Sequence, residues 1–339
     1  MLDNTLSQIE TRMKTTRPSK HRLTTAPLFV ASLFALAASG TASASCGAAS
    51  CSLNTDWDIQ GTSGTHGARL GLRYEYIKQD QLRAGSDKTV AQGVSDTHDE
   101  LSTVNRNLIA SIDYSAGQWG VTAQLPLLDR THAHIHNDPV NGAETEQWDF
   151  SSVGDLRVVG RYQLPAQPFQ SNATGFKFGA KLPTGQTDKA NSEGVLAERP
   201  LQPGSGSTDL ILGAYHNWRS VGSSFAWFAH ILFQTPVSSH DHFRPGDQTA
   251  IDVGASYPVS PELTAMVQIN GQIKSRDSGS NAEPESSGGK FVNLSPGAAY
   301  AVGKNVQIYG FVQMPLYQYV NGTQLTPDWS AVLGANYQF

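Results

Sequence analysis

The chain has 339 residues, 16% charged and 39% hydrophobic, with a formal net charge of −5. That balance carries no basic excess of the kind that holds nucleic acid, so no nucleic-acid partner is expected. After the first forty residues no apolar run approaches the roughly 20 residues of a membrane helix, which leaves strands, whose alternation hides their hydropathy.

Residues 1–44 read as a signal peptide. Lys14, Arg17, Lys20, His21 and Arg22 precede the apolar run Leu28 to Ala38, and Ala42-Ser43-Ala44 fits a signal-peptidase site. Cleavage is expected after Ala44. The basic region is long counted from Met1, and a start at Met13 gives a more ordinary leader. A lipoprotein reading through Cys46 meets Ser43 where a lipobox has Leu. Residues 45–66 are expected to form a periplasmic segment carrying Cys46 and Cys51. In an exported chain that pair reads first as a small-loop disulfide, with a redox or metal pair as the alternative. Nothing nearby supplies the helix or basic partner of a reactive thiol.

Strands begin after residue 67. Leu70, Leu72, Tyr74 and Tyr76 alternate with Arg69, Gly71, Arg73 and Glu75. Period two marks a strand with one apolar and one polar face. A polar loop is expected over 79–100. Leu108 to Tyr114 and Trp119 to Leu125 form a second and third strand around a turn at Ser115-Ala116-Gly117, and a long loop is expected over 126–149. Further strands run near Asp155–Leu164, Phe176–Leu182, Asp209–Trp218, Phe225–Thr235, Thr249–Tyr257, Leu263–Lys274, Phe291–Val302, Val306–Met314 and Trp329–Phe339.

Two regularities organise these segments. Short connections near 115, 167, 221, 260 and 304 alternate with long polar ones near 87, 134, 192, 241, 280 and 323, as periplasmic turns and outer loops alternate in outer-membrane barrels. Aromatics gather at two levels. Tyr114, Trp119, Tyr162, Phe176, Trp218, Phe225, Tyr257, Tyr300 and Tyr337 flank the short turns; Tyr76, Phe150, Phe233, Phe291, Tyr317 and Trp329 flank the long loops. Such girdles mark the two membrane interfaces. Prolines punctuate strand ends at Pro126, Pro165, Pro183, Pro236, Pro258 and Pro315, where a missing N–H is tolerated. Pro296 sits inside a strand, a departure that a bulge would accommodate.

The expected fold is all-β: a transmembrane antiparallel β-barrel over residues 67–339, of about twelve strands, with both termini periplasmic. The last strand closes on Tyr337 and Phe339, and in this it resembles the terminal strand of bacterial outer-membrane barrels. That resemblance implies that Tyr337 and Phe339 are a signal to the barrel assembly machinery. Ser152-Val153-Gly154-Asp155-Leu156, Gly160-Arg161-Tyr162, Lys181-Leu182-Pro183-Thr184-Gly185 and Gln202-Pro203-Gly204-Ser205-Gly206-Ser207 resemble the outer-membrane transporters named for the phenol meta-degradation pathway. The resemblance covers roughly residues 67–339 and implies an outer-membrane transporter, without naming its cargo.

If the apolar faces meet lipid, the others line a lumen. The expected pore-lining charges are Arg69, Arg73, Glu75, Asp113, Asp155, Arg157, Arg161, Lys177, Lys181, Asp209, Asp252 and Lys274. They suit two states: ion-paired filling of a closed interior, or a mildly anion-preferring aqueous path. The histidines gather in the expected long loops as His98, as His132, His134 and His136, and as His240 and His242. Imidazoles two apart on an extended segment share a face and suit zinc or copper, with the acidic neighbours of His98 and of His240 completing a site. The other reading is solvated loops that face lipopolysaccharide. Beyond that metal no cofactor is expected.

Catalysis is not expected. A barrel hydrolase needs a Ser–His pair near the outer leaflet. His216, the one outward base, falls at the other end of its strand, and no Gly-x-Ser-x-Gly elbow is present. The expected function is an outer-membrane channel passing small organic or anionic solutes by passive diffusion. The alternative is a closed barrel displaying histidine-rich extracellular loops to a metal or partner.

Overall fold

The computed structural model describes residues 66–90, 98–138, 142–165, 172–219 and 224–339. The signal peptide, most of the 45–66 segment and the pair Cys46/Cys51 fall outside these residues. The strands are β1 (His66–Ala84), β2 (Asp87–Lys88), β3 (His98–Ala116), β4 (Trp119–Asp138), β5 (Gly142–Val153), β6 (Leu156–Gln163), β7 (Ala173–Leu182), β8 (Asp209–Arg219), β9 (Ala226–Pro236), β10 (Gln248–Pro258), β11 (Leu263–Lys274), β12 (Gly289–Val302), β13 (Val306–Val320) and β14 (Thr323–Gln338). Two are not separate staves. β2 is a stub folded back on β1, and β5 and β6 are successive halves of one strand, both paired with β4. The result is a closed antiparallel barrel of 12 strands.

Closure comes from the pairing of β14 with β1, from Arg69↔Gln338 to Ala84↔Thr323. Because the strand number is even, His66 and Gln338 lie at one end, beside the short turns. A closed sheet has no edge, so every ladder group finds a partner inside the wall, as lipid requires.

The packing is inside-out. Leu70, Leu72, Ile112, Val121, Phe178, Leu212, Ile251, Ile269 and Leu333 are all exposed on the outer face. A contiguous apolar belt of this kind is not sustained against water; it is a lipid-facing surface. Its lower border is an aromatic girdle in register. Trp119 pairs with Tyr162, which pairs with Phe176, and the Trp119 and Tyr162 rings lie 4.7 Å apart. Phe225 and Tyr257 continue it at 4.9 Å, and Tyr337 meets Phe339 edge-on at 4.9 Å. Its upper border is where outward charges begin: Lys78–Asp80 at 2.7 Å and Arg106–Asp129 at 2.9 Å.

The interior is polar and hydrogen-bonded. One chain of bonds crosses six strands at one level. His230 meets Asp252 at 3.1 Å, and Asn270 donates to Asp252 at 2.8 Å. Ser295 donates to Asn270 at 2.7 Å, Gln313 to Ser295 at 3.4 Å, and Ser330 to Gln313 at 3.3 Å. Inward aromatics lie flat against the wall by crossing onto glycines of the neighbouring strand. Tyr309 covers its register partner Gly334, and Tyr215 covers Gly175; a Cβ at either glycine would collide with the ring.

Three expectations are corrected. Residues 126–149 are not a long loop: β4 runs unbroken through Pro126 to Asp138, and β5 returns along it. Pro126 instead marks the break in the partner strand, where Gly154 N–H donates to its carbonyl at 2.8 Å between β5 and β6. β1 likewise continues to Ala84 and β3 already includes His98 to Glu100, while β13 runs to Val320 and β14 starts at Thr323, the two joined through Asn321 and Gly322. These hairpins extend past the apolar belt, so their outward faces turn polar and look like loops in sequence. Phe150 is no girdle residue; it is buried inside with Trp148 and Leu201. Pro296 causes no bulge. Pairing to β13 resumes in the same register on either side of it, and the shift falls at Val292/Asn293, opposite Pro315.

Candidate functional site

The lumen is the candidate site, and strand phase fixes which side chains reach it. Arg69, Arg73 and Glu75 share the inner face of β1, Asp113 that of β3, Arg157 and Arg161 that of β6, and Lys177 and Lys181 that of β7. A cavity of about 90 Å³ lies among Arg69, Arg73, Asp113, Arg157, Arg161 and Lys177, with Leu232 and Tyr309 lining it from β9 and β13. Five basic side chains and one acid line it. Arg161 is held by Asp113 at 2.6 Å and reaches Ser115 as well; its guanidinium lies over Gly120, where any Cβ would collide with it. Arg73 pairs with Glu75 at 2.9 Å, and Lys177 lies 6.0 Å from the centre of the Tyr215 ring. Tyr309 belongs to an apolar cluster with Met266, Ala299, Phe311 and Val332.

Toward the long-loop end the other predicted charges do different work. The stretch between β7 and β8 folds into the mouth instead of standing above it. Asp155 is its anchor, and three distant motifs converge there. Gly185 N–H and Ser205 N–H each donate to the Asp155 carboxylate at 3.0 Å, Ser205 Oγ at 2.9 Å and Lys181 Nζ at 2.9 Å. Lys181 also reaches Asp209 at 3.4 Å, and Asp209 accepts from Ser207 and Gln234, each at 2.6 Å. Gly185 and Gly204 cross with backbones nearly touching: a Cβ on Gly185 would fall 2.7 Å from Gly204 Cα. Arg199 donates to the carbonyls of Thr187 and Ser205, and burial lowers its guanidinium below the usual arginine range, against an opposing pull from Asp241. The tip, Leu201, is 2% exposed and packs on Leu82, Trp148, Phe150, Ala197 and Leu325. Arg130 Nη1 donates to the Leu201 carbonyl, and its Nε donates to Asn105 at 2.6 Å. Asp252 is held by His230 and Asn270 within the interior network, and Lys274 pairs with Asp277 at 2.9 Å.

The histidines divide. His98, His132, His134 and His136 are not in loops; they lie on β3 and β4, with His98 opposite His136 in register. His132 and His134 point inward, buried beside Glu100, and their Nε2 and Nδ1 atoms lie 3.3 Å apart. His240 and His242 lie elsewhere, exposed at the loop after β9, with His240 3.0 Å from Asp241. The signal for His132 and His134 was present in the sequence: the inward phase of Thr122 and Gln124 continues through Arg130. Glu100 was flagged only as a neighbour of His98, because a register shift between Glu100 and Ser102 breaks the phase. Arg130, Trp148 and Leu201 were missed. At the opposite end, Tyr337 pairs with Leu70 and Val306, and Phe339 N–H donates to the Ala68 carbonyl at 3.0 Å.

Among solved structures, an outer-membrane channel of Pseudomonas putida F1 superposes with a TM-score of 0.62 at 14% identity, over 84% of this chain and 100% of that one. The NanC porin gives a TM-score of 0.43 at 8% identity, covering 80% and 100%. A Pseudomonas aeruginosa FadL homologue gives 0.42 at 10% identity, covering 83% and 92%. No curated protein matches the chain in sequence. The family described as "Putative MetA-pathway of phenol degradation" matches residues 79–326, from the upper half of β1 through the inserted loop and its Asp155 anchor to β14, and the chain belongs to that family.

Proposed function

We propose that this protein is a bacterial outer-membrane channel for small organic anions that cross by diffusion. The observation that carries the reading is the cavity with five basic side chains, one acid and an aromatic wall at Tyr309. A carboxylate or phenolate meets positive potential there, and its ring meets an apolar face, so both ends of such a solute are accommodated. The family's association with phenol degradation and the likeness to an outer-membrane channel of Pseudomonas putida point the same way. On this reading the short turns and both termini of the barrel domain face the periplasm. The long-loop end faces lipopolysaccharide, and Tyr337 and Phe339 address the assembly machinery. The role is transport and not catalysis.

The insertion of Leu201 into the mouth favours a second state, a barrel closed at rest whose loop must move to conduct. Planar-bilayer recording tests both. Conductance steps with a reversal potential on the anion side are expected, as is faster entry of benzoate than of a neutral sugar of similar size into proteoliposomes. A silent bilayer under every voltage and solute would overturn the channel reading.

A further inference from the structure

We propose that Glu100, His132 and His134 form a site for one divalent transition-metal ion of the zinc type, inside the mouth of the barrel. The inference does not depend on the transport reading.

The three candidate ligand atoms lie within 4.8 Å of one another, and two of their three separations are already close to coordination spacing. His132 Nε2 lies 3.3 Å from His134 Nδ1 and 3.5 Å from Glu100 Oε2. A tetrahedral ion with bonds of about 2.0–2.1 Å has ligand–ligand edges of about 3.3–3.4 Å, so these atoms outline one face of such a site without moving far. The ring nitrogens pointing away from the centre are also engaged as metal-binding histidines require. Thr103 Oγ1 is 2.9 Å from His132 Nδ1 and can accept its proton in the tautomer that leaves Nε2 as a lone-pair donor. Glu146 is 3.4 Å from His134 Nε2, the carboxylate–histidine arrangement that orients a ligand and raises its basicity.

Strand geometry produces the cluster. His132 and His134 share the inner face of β4, and β3 brings Glu100 opposite His134 in register. All three groups are buried: His132 is 0% exposed, Glu100 2% and His134 6%. Trp148 packs at a tilt beside both rings, its centroid 5.6 Å from that of His132 and 4.8 Å from that of His134. A carboxylate and two imidazoles gathered where water is excluded are stabilised by a divalent charge at their centre. Two imidazoles and one carboxylate suit zinc or copper rather than calcium or magnesium. Three protein ligands leave a fourth position for water or an exchangeable donor. Glu146, whose side chain is 24% exposed, is the member of the group nearest solvent.

The test uses the untagged protein, folded in detergent and freed of metal with a chelator. Zn²⁺ is titrated against a chromophoric competitor, and Cu²⁺ is followed by quenching of tryptophan fluorescence. One saturable equivalent is expected, with quenching largely lost in Trp148→Phe. Glu100→Gln keeps the shape and removes the charged ligand, and should weaken binding at least ~10-fold. His132→Ala/His134→Ala should abolish binding, while His240→Ala/His242→Ala should bind as the wild type does. Binding should weaken as pH falls, because protons compete for the imidazoles. Heat-dependent gel migration confirms that each variant is folded. No saturable binding by the wild type overturns the proposal. So does unchanged affinity in Glu100→Gln, or loss of binding through His240 and His242. Should the double variant fail to fold, the wild-type and Glu100→Gln titrations decide alone.

Discussion

Arg130 holds Leu201 by its backbone: the guanidinium Nη1 donates to the Leu201 carbonyl, while Nε is fixed by Asn105 at 2.6 Å. One inward side chain on the wall thus keeps the tip of the longest inserted segment in the mouth. Arg130→Ala removes a charged hydrogen bond worth roughly 1.5–3 kcal/mol. Bilayer recordings of the variant should show higher open probability at unchanged selectivity. Limited trypsin digestion should cleave after Lys189, in the same inserted stretch, faster than in the wild type. Identical open probability and cleavage would mean that the loop is held by its Asp155 anchor alone.

Asp155 receives four donors from two segments, Lys181 to Gly185 and Ser205, so its loss should be felt in the whole barrel. Asp155→Ala strands two backbone N–H groups and leaves Lys181 with Asp209 as its remaining carboxylate, beside Ser205 and Ser207. Removing one partner of a buried ion pair costs of order 3–5 kcal/mol, and the retained Asp209 contact puts this site at the lower end. A lowered unfolding temperature in detergent, read by loss of heat-dependent gel migration, checks it. Lys181→Met, which deletes the charge and keeps the stem, should cost less.

The cavity charges predict selectivity by sign. Asp113→Asn removes the single acid lining the cavity, so the reversal potential in a salt gradient should move further to the anion side. Arg157→Gln/Lys177→Gln should move it back toward zero. Both shifts should shrink at high salt, because screening shortens the reach of fixed charges. A shift of the opposite sign in either variant would place the selectivity-determining charges at another level of the lumen.

Gly185 and Gly204 cross too closely for a side chain. Gly185→Ala must displace backbone, not the end of a flexible side chain, and overpacking of this kind costs about 1–3 kcal/mol. Thermal unfolding should start earlier in this variant, whereas Gly194→Ala has open space around its Cβ and pays only for its positive φ. Comparing the two separates close approach from backbone strain.

Phe339 is 67% exposed and contributes little packing, yet its N–H closes the last rung onto Ala68. Deleting it should lower the amount of barrel assembled in the outer membrane and leave the conductance of assembled molecules unchanged. A normal surface level of the deletion variant would remove Tyr337 and Phe339 from any role in assembly.

Much of the barrel was legible because alternation is local. From Arg69 to Glu75 each residue's face follows from its neighbour's, and the same holds from Arg157 to Arg161. The girdles were legible because Trp119, Tyr162 and Phe176 sit at the same distance from their turns. Legibility failed where a strand continues beyond the lipid. Once Arg106 and Asp129 replace apolar residues on the outer face, the contrast between faces disappears, and β3, β4 and β5 look like polar loops while still hydrogen-bonded. The sequence therefore places His132 and His134 in a long loop, whereas they lie buried on β4.

The sequence by itself determined the architecture, the phase of the strands whose alternation is clear and the pairing of last strand with first, because a two-residue period and an apolar exterior admit few other arrangements. Only the tertiary structure decided what the lumen holds. Asp155, Lys181 and Ser205 lie up to 50 residues apart and meet because the barrel curves and the loop folds inward. Glu100 joins His132 and His134 only through the register of β3 on β4 and a shift at Ser102. Leu201 is an ordinary loop residue until the cylinder gives it an inside. Such contacts depend on closure, which no stretch of sequence encodes locally.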